Sequence, residues 1–256
     1  MRVMGKRVVV TGAASGIGAA SARRFAEEGA HVAMVDVDAD SGEALAAELN
    51  GGSTQVRFHR ADVADPVGVA DTVAQVAEEL GGIDVLHSNA GMAAGSSGLG
   101  TDIADWDRVH ALNLRAPWLW SKEVLPHLLR SGRGAIVFTG STSGMVGYPG
   151  AIAYTSSKGG LLNLTRSLAL ELAEQNVTVN AVCPGHIDTP MTRGFFASPG
   201  GPDALRARLQ EHAETVPMKR LGRPEEVAAF VVFLASDDAR FCTGGIYPCD
   251  GGMTAA

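Results

Sequence analysis

Cysteine is scarce in this chain. Cys183, Cys242 and Cys249 are the whole set among 256 residues, and no two of them stand in a C-x-x-C spacing. So sparse and odd a set excludes a disulfide scaffold and predicts a reduced, cytoplasmic protein. Long apolar runs are missing too. The longest, Val227–Ala235, is far too short to cross a bilayer, and Met1–Lys6 is too short and too polar to hold the apolar region of a signal peptide. The formal net charge is −7, with no block of like charges. This argues against nucleic acid or an anionic membrane as the main partner, since both select for basic patches. The seven histidines (31, 59, 87, 110, 127, 186 and 212) are scattered, with no H-x-x-x-H or Cys/His cluster, so no metal site is expected.

Apolar residues and glycine are abundant. Hydrophobic residues make up 46% of the chain, enough for a sizeable core, and the 32 glycines predict many turns and close backbone approaches. Short apolar runs at Arg7–Thr11, His31–Asp36, Val56–Asp62, Ile83–Asn89, Ala135–Gly140, Val177–Cys183 and Gly245–Asp250 are near-continuous rather than alternating. That pattern fits strands covered on both faces. Helical patterns at Ile17–Glu28, Glu43–Leu49, Val67–Leu80 and Leu161–Glu174 lie between them. The alternation predicts one doubly wound α/β domain over residues 1–256, Rossmann-type, with a seven-stranded parallel sheet flanked by helices. Two stretches stand apart. Ala93–Thr101 is rich in glycine and serine and reads as a mobile loop. Pro190–Gly222 reads as a long excursion with one short helix, Asp203–Glu214, and a lid over substrate is its expected role.

The first strand runs into Thr11-Gly12-Ala13-Ala14-Ser15-Gly16-Ile17-Gly18 and then a helix. Glycines here allow a tight turn, let the backbone approach a pyrophosphate, and let helix pack on strand. The spacing is G-x-x-x-G-x-G rather than G-x-G-x-x-G, so context has to support it: a strand precedes, a helix follows, and the second strand ends in Asp36, eighteen residues past Gly18. An acid at that position hydrogen-bonds the adenosine ribose hydroxyls and repels a 2′-phosphate. No Lys or Arg occurs from Thr11 to Ala22 or from Val32 to Asn50, so the expected cofactor is NAD.

Tyr154 and Lys158 stand at i and i+4, which puts both on one face of a helix. A phenol titrates at about 10 and is a poor base at neutral pH. A neighbouring ammonium is expected to pull it toward working pH, suiting it to exchange a proton with an alcohol or carbonyl oxygen. Ser141, thirteen residues before Tyr154, supplies a hydroxyl that can hold the same oxygen.

Thr11–Gly18, Asn89-Ala90-Gly91, Asn113, Ser141, Tyr154-x-x-x-Lys158 and Pro184-Gly185 stand in order along the chain. Together they resemble the short-chain dehydrogenase/reductase family in its compact branch, and the resemblance runs from Lys6 to Asp250-Gly251-Gly252. It implies Tyr154 as general acid/base and Ser141 as the residue that orients and polarises the substrate oxygen. Lys158 would bind the nicotinamide ribose and depress the tyrosine pKa, and Asn113 would hold a water linking Lys158 to solvent. Gly12, Ser15, Gly16, Ile17 and Gly18 would form the cofactor turn, with Asp36 on the ribose and Asp62 and Val63 at the adenine. Asn89, Ala90 and Gly91 would close the floor under the adenine ribose. Pro184, Gly185, Ile187 and Thr189 would lie along the nicotinamide. The family often has Asn where His87 or Ser88 stands, and Ser-Ser where Gly140-Ser141 stands.

Hydride transfer between NAD(H) and a secondary alcohol or its ketone is therefore the expected function. A 3-oxoacyl-thioester reductase and a non-catalytic dinucleotide-sensing protein on the same fold are the alternatives. Expected substrate contacts are Ser143, Met145, Tyr148, His186, Met191, Phe195 and Phe196, with Met92 and Ala93 nearby; the set is more apolar than charged and suits a partly hydrophobic small molecule. The resemblance also implies a homotetramer, with the apolar helices around Trp106–Leu129 and Leu161–Leu172 as subunit contacts.

Overall fold

The apolar runs become seven parallel strands covered by helices on both faces. The computed structural model describes residues 1–51, 54–93, 98–197 and 201–255. In chain order the elements are β1 (Arg7–Thr11), α1 (Gly16–Glu27), β2 (His31–Asp36), α2 (Ala39–Leu49), β3 (Val56–Arg60), α3 (Pro66–Leu80), β4 (Val85–Ser88), α4 (Ile103–His110) and α5 (Ala116–Ser131). They continue with β5 (Ala135–Thr139), α6 (Ile152–Leu172), β6 (Thr178–Pro184), α7 (Pro190–Phe196), α8 (Gly201–Thr215), α9 (Pro224–Leu234) and β7 (Ile246–Cys249). The strand order is β3-β2-β1-β4-β5-β6-β7, with every pairing parallel. Among the described residues no helix is long and apolar enough to cross a membrane.

Alternate side chains on the strands feed two cores. Val9, Leu86, Ile136 and Val179 point to the face holding α3, α5 and α6, while Val8, Val10, Val85, Val137 and Val182 point to the face where α1 packs on α9. Side chains start several helices: Asp38 caps α2, Asp65 caps α3 and Asp102 caps α4, each accepting from backbone amides one to two residues into the helix. Ser15 precedes α1 in extended backbone but makes no side-chain cap bond.

α2 starts at Ala39 rather than at the expected Glu43, on its Asp38 cap, and three further boundaries differ for identifiable reasons. β3 stops at Arg60 and β4 at Ser88, because Asp62 and Asn89 leave the ladder to make local bonds: Asp62 Oδ1 accepts from the Ala64 amide (2.9 Å), and the Asn89 amide donates to Thr11 Oγ1 (3.0 Å). α6 begins at Ile152, well before the apolar periodicity at Leu161, since its first turns are polar. The excursion after β6 holds two helices rather than one. The unexpected α7 starts on Pro190, and Thr189 Oγ1 accepts from the Thr192 amide (3.2 Å). Of the glycine-serine loop, residues 94–97 lie outside the described residues; 98–100 form a single 3₁₀ turn.

One ion pair ties β1 to the start of β4. Asp84, 3% exposed, accepts from the Arg7 amide (2.9 Å), its Nε (2.8 Å) and its Nη2 (2.7 Å). Burial alone would raise the Asp84 pKa, but the Arg7 hydrogen bonds overcome it and hold the carboxyl below the usual range. Its contribution to stability is thus present near neutral pH and fades as pH falls through that lowered value. Asp84→Ala is expected to cost about 2–3 kcal/mol in urea unfolding at pH 7, the low end for a broken buried pair because Arg7 keeps some solvent access. A loss below about 0.5 kcal/mol would place the pair with ordinary surface salt bridges.

Candidate active site

The strand order reverses direction between β1 and β4, and in an open parallel sheet that opens a crevice beyond the strands' carboxyl ends. A cleft of ≈ 570 Å³ lies there, walled by residues from the β1–α1 turn to α7.

Gly12 has a left-handed backbone (φ 65°), and a Cβ on it would come within 2.8 Å of the Ala90 Cα. At Gly18 a Cβ would stand 1.9 Å from the Gly12 carbonyl oxygen. The turn therefore folds back on the first coil of α1, a closeness only glycine permits. The Asn89 amide group holds it from below, donating to the carbonyls of Thr11 (3.1 Å) and Gly12 (3.2 Å), and Thr11 Oγ1 receives the amides of Asn89 and Ala90. The uncapped amides at the start of α1 add the helix's partial positive end, which suits a phosphate group. At the cleft mouth Asp36 Oδ2 accepts from the Ala14 amide (2.9 Å) and Oδ1 from the Asp38 amide (3.1 Å), so the turn itself orients the carboxylate. A cradle closed to any Cβ, a helix start with free amides and a fixed carboxylate fit a dinucleotide.

At the other end, β5 and α6 are brought together by the 3₁₀ turn Thr142–Gly144, where a Cβ at Gly144 would touch the Lys158 carbonyl (2.8 Å). Ser141 starts that turn and its Oγ accepts from the Ser143 amide (3.1 Å). Tyr154 is half-buried, and the Ser141 hydroxyl is the neighbour that acts to lower its phenol pKa. Lys158, 3% exposed, lies with Nζ 5.8 Å from the Tyr154 ring centroid and donates to the Thr139 carbonyl (2.8 Å). Asn113 sits on a one-turn π-helix, Ala111–Arg115, between α4 and α5. Its Oδ1 accepts from the Met92 amide (2.9 Å), and its Nδ2 donates to the Met92 carbonyl (2.9 Å) and Ser157 Oγ (3.1 Å). Both amide hydrogens are taken, which leaves one Oδ1 lone pair for a further partner. Such π bulges are frequent at functional sites.

Electrostatics here depart from the expectation. Burial dominates both partners: it raises the Tyr154 phenol, which Ser141 offsets only in part, and it pulls the Lys158 ammonium down to about 8. With Nζ turned to Thr139, the ammonium does not offset the phenol's desolvation. Cys183, also behind this edge, is an inert thiol pushed up to about 11 by burial.

The cleft wall includes Gly12, Ser15, Gly16, Ile17, Asp36, Asp62, Val63, Asn89, Ala90, Gly91, Ser141, Tyr154, Lys158, Pro184, Gly185, Ile187 and Thr189. Gly18 and Asn113 lie behind it. Of the expected substrate-pocket positions Met92 and Met191 are on the wall. Ser143 is outside it on the 3₁₀ turn, and Met145, Tyr148 and Phe195 are exposed and not part of the wall. His186 and Phe196 join His212 of α8 in an aromatic cluster, with Phe196 stacked on His212 at 3.8 Å. Arg193 is paired to Asp188 through two hydrogen bonds and is committed to holding α7. Sequence reasoning missed Val37, Arg108, Leu112, Thr139 and Thr192 on the wall. The i, i+4 spacing of Arg108 and Leu112 is a helix-face signal, but it spans the π turn.

The family model described as enoyl-(acyl carrier protein) reductase matches residues 12–254. The chain is 43% identical over 256 residues to meso-2,3-butanediol dehydrogenase of Serratia marcescens, spanning 100% of this chain and 97% of that protein. It is 43% identical over 248 residues to cis-4-hydroxycyclohexanecarboxylate dehydrogenase of Sinomonas cyclohexanicum, 96% of each. The crystal structure of levodione reductase aligns with a TM-score of 0.94 at 34% identity, covering 100% of both chains.

Gly18→Ala tests the turn. The added methyl has to push the Gly12 carbonyl away, so affinity for the dinucleotide is expected to fall at least tenfold in a fluorescence titration with NADH, with the fold retained by circular dichroism. Native affinity in this variant would show that the close approach does not matter to binding.

Proposed function

The chain belongs to the short-chain dehydrogenase/reductase family, and on that premise we propose that it transfers a hydride between NAD(H) and a secondary alcohol or its ketone, with Tyr154 as general acid/base. The observation that carries this reading is one cleft holding Ser141, Tyr154 and Lys158 at one end and the Asp36-marked glycine turn at the other. The bound nicotinamide supplies the acceptor or donor of the hydride. The protein's part is the proton. In oxidation Tyr154 Oη takes the proton of the substrate hydroxyl while Ser141 Oγ holds the same oxygen; in reduction Tyr154 returns it. Lys158 holds the cofactor ribose beside Tyr154, and Asn113 links that lysine toward solvent.

NAD rather than NADP is supported by Asp36, whose carboxylate faces the cleft and would repel a 2′-phosphate. The same acid weighs against a 3-oxoacyl-thioester reductase using NADPH, and the intact Ser–Tyr–Lys set weighs against a non-catalytic sensor. Met92, Leu112 and Met191 on the wall suit a partly hydrophobic substrate. Relatives named for butanediol and hydroxycyclohexanecarboxylate, and a structure named for levodione, support the secondary alcohol and ketone class. We read residues 1–256 as one unit in which 190–222 is the substrate lid. Exposed Trp106, Trp118, Leu129 and Leu170 support subunit contacts in a homotetramer, and three unpaired cysteines support a cytoplasmic setting.

Tyr154→Phe is expected to lower kcat about a thousandfold while NADH titration shows unchanged binding. In the native enzyme, alcohol oxidation should climb with pH through the alkaline range, because it needs the phenolate of a raised-pKa tyrosine, and ketone reduction should decline over the same range. Turnover surviving in the Phe variant would remove Tyr154 from the mechanism. Asp36→Ala is expected to lower the ratio of kcat/KM with NAD to that with NADP at least a hundredfold, since the exposed Arg60 stands opposite Asp36 in the β2–β3 register, within reach of a 2′-phosphate there. An unchanged ratio would count against the assignment of Asp36.

A further inference from the structure

β4 carries a histidine in the wrong company. His87 is 0% exposed and pairs in register with Val10 and Val137, on the apolar sheet face shared with α1 and α9. Its Nε2 lies 3.0 Å from Thr139 Oγ1, and its buried Nδ1 has no partner among the described residues. Proton directions follow from chemistry alone. Asn89 Nδ2 faces the carbonyls of Thr11 and Gly12, which only accept, so its Oδ1 is the atom that meets Thr139 Oγ1 (3.0 Å). An amide oxygen also only accepts, so the single Thr139 hydroxyl proton goes to Asn89. His87 Nε2–H must then donate to Thr139, which leaves Nδ1 bare. Burial pushes the imidazole down to about 3, so the ring stays neutral across any working pH.

We propose that His87 is a positioning residue for the cofactor turn, acting through a one-way chain of hydrogen bonds from His87 to Thr139 to Asn89 to the carbonyls of Thr11 and Gly12. The proposal rests on reading that turn as the dinucleotide seat. Thr139 is the hub, because its own carbonyl receives Lys158 Nζ (2.8 Å). A free Thr139 hydroxyl can rotate among acceptors; with His87 occupying its oxygen from one side, it is directed at Asn89. The Asn89 amide is thereby held in the one orientation that donates to both turn carbonyls. The bare Nδ1 strengthens the case. An unpaired buried nitrogen costs folding free energy that an apolar side chain would not, so a residue serving packing alone would be better as leucine at this place.

That difference separates positioning from packing. His87→Leu is expected to keep or raise the melting temperature while weakening NADH binding five- to tenfold, with KM for the dinucleotide rising and kcat changing less than twofold, equally at pH 6 and pH 9. His87→Gln, whose Nε2 reaches a similar point and donates there, is expected to bind within twofold of native. Thr139→Val breaks the same chain from its middle and keeps the idea testable if the leucine variant does not fold. It should show the same loss, and the double variant no more than either single one. Native affinity in His87→Leu or Thr139→Val would overturn the proposal, as would joint losses of stability and affinity in both His87 variants. A native chain that binds neither NADH nor NADPH would overturn the cofactor reading and this proposal with it.

Discussion

Parallel register between β1, β4 and β5 sets the height of everything at the catalytic edge. It pairs Val10 with His87 and Ser88 with Phe138, so Thr11, Asn89 and Thr139 emerge side by side where the ladder ends. Their side chains close on one another instead of on solvent, and the glycine turn is built on that polar shelf. A one-residue slip in β4 would turn His87 and Asn89 to the opposite face and leave the turn carbonyls without donors.

Two buried titratable groups share the other end of the cleft, and low-dielectric surroundings favour the neutral form of each. The phenol is pushed above its ordinary value while the amine is pulled down to about 8, so the two move apart and both groups are neutral in the range between them. Ser141 is the direct counterweight, since its hydroxyl is the influence that lowers the phenol. The serine therefore has a place in the electrostatics besides its proposed hold on the substrate oxygen.

Much of this was legible in the residues. Apolar runs marked the strands to within two residues because the central strands are buried on both faces and carry few polar positions to blur them. Tyr154 and Lys158 were legible because a helix imposes their spacing, and the glycine turn because no other residue tolerates its geometry. The lining of the substrate end was not. Tyr148 and Phe195 read as pocket aromatics, yet they stand on segments whose direction is set by tertiary contacts, and Phe196 was drawn to His212 instead. α7 was hidden behind Pro190, which reads as an interruption but serves as a first helical residue. Nor does any periodicity announce the π turn that carries Asn113, because one extra residue per turn leaves no mark in a pattern of apolar spacing. The role of His87 was equally silent, since an isolated histidine in a strand shows nothing of the hydroxyl it meets.

The uncapped start of α1 bears on the protein's life outside catalysis. Its neighbours α2, α3 and α4 each begin on an aspartate that satisfies their first amides, and α1 does not. Leaving a helix start without such a cap forgoes about 1 kcal/mol of intrinsic stability. A ligand that binds only the folded form returns more than that by mass action. Resistance to heat and proteolysis is then tied to how fully the dinucleotide occupies that helix start.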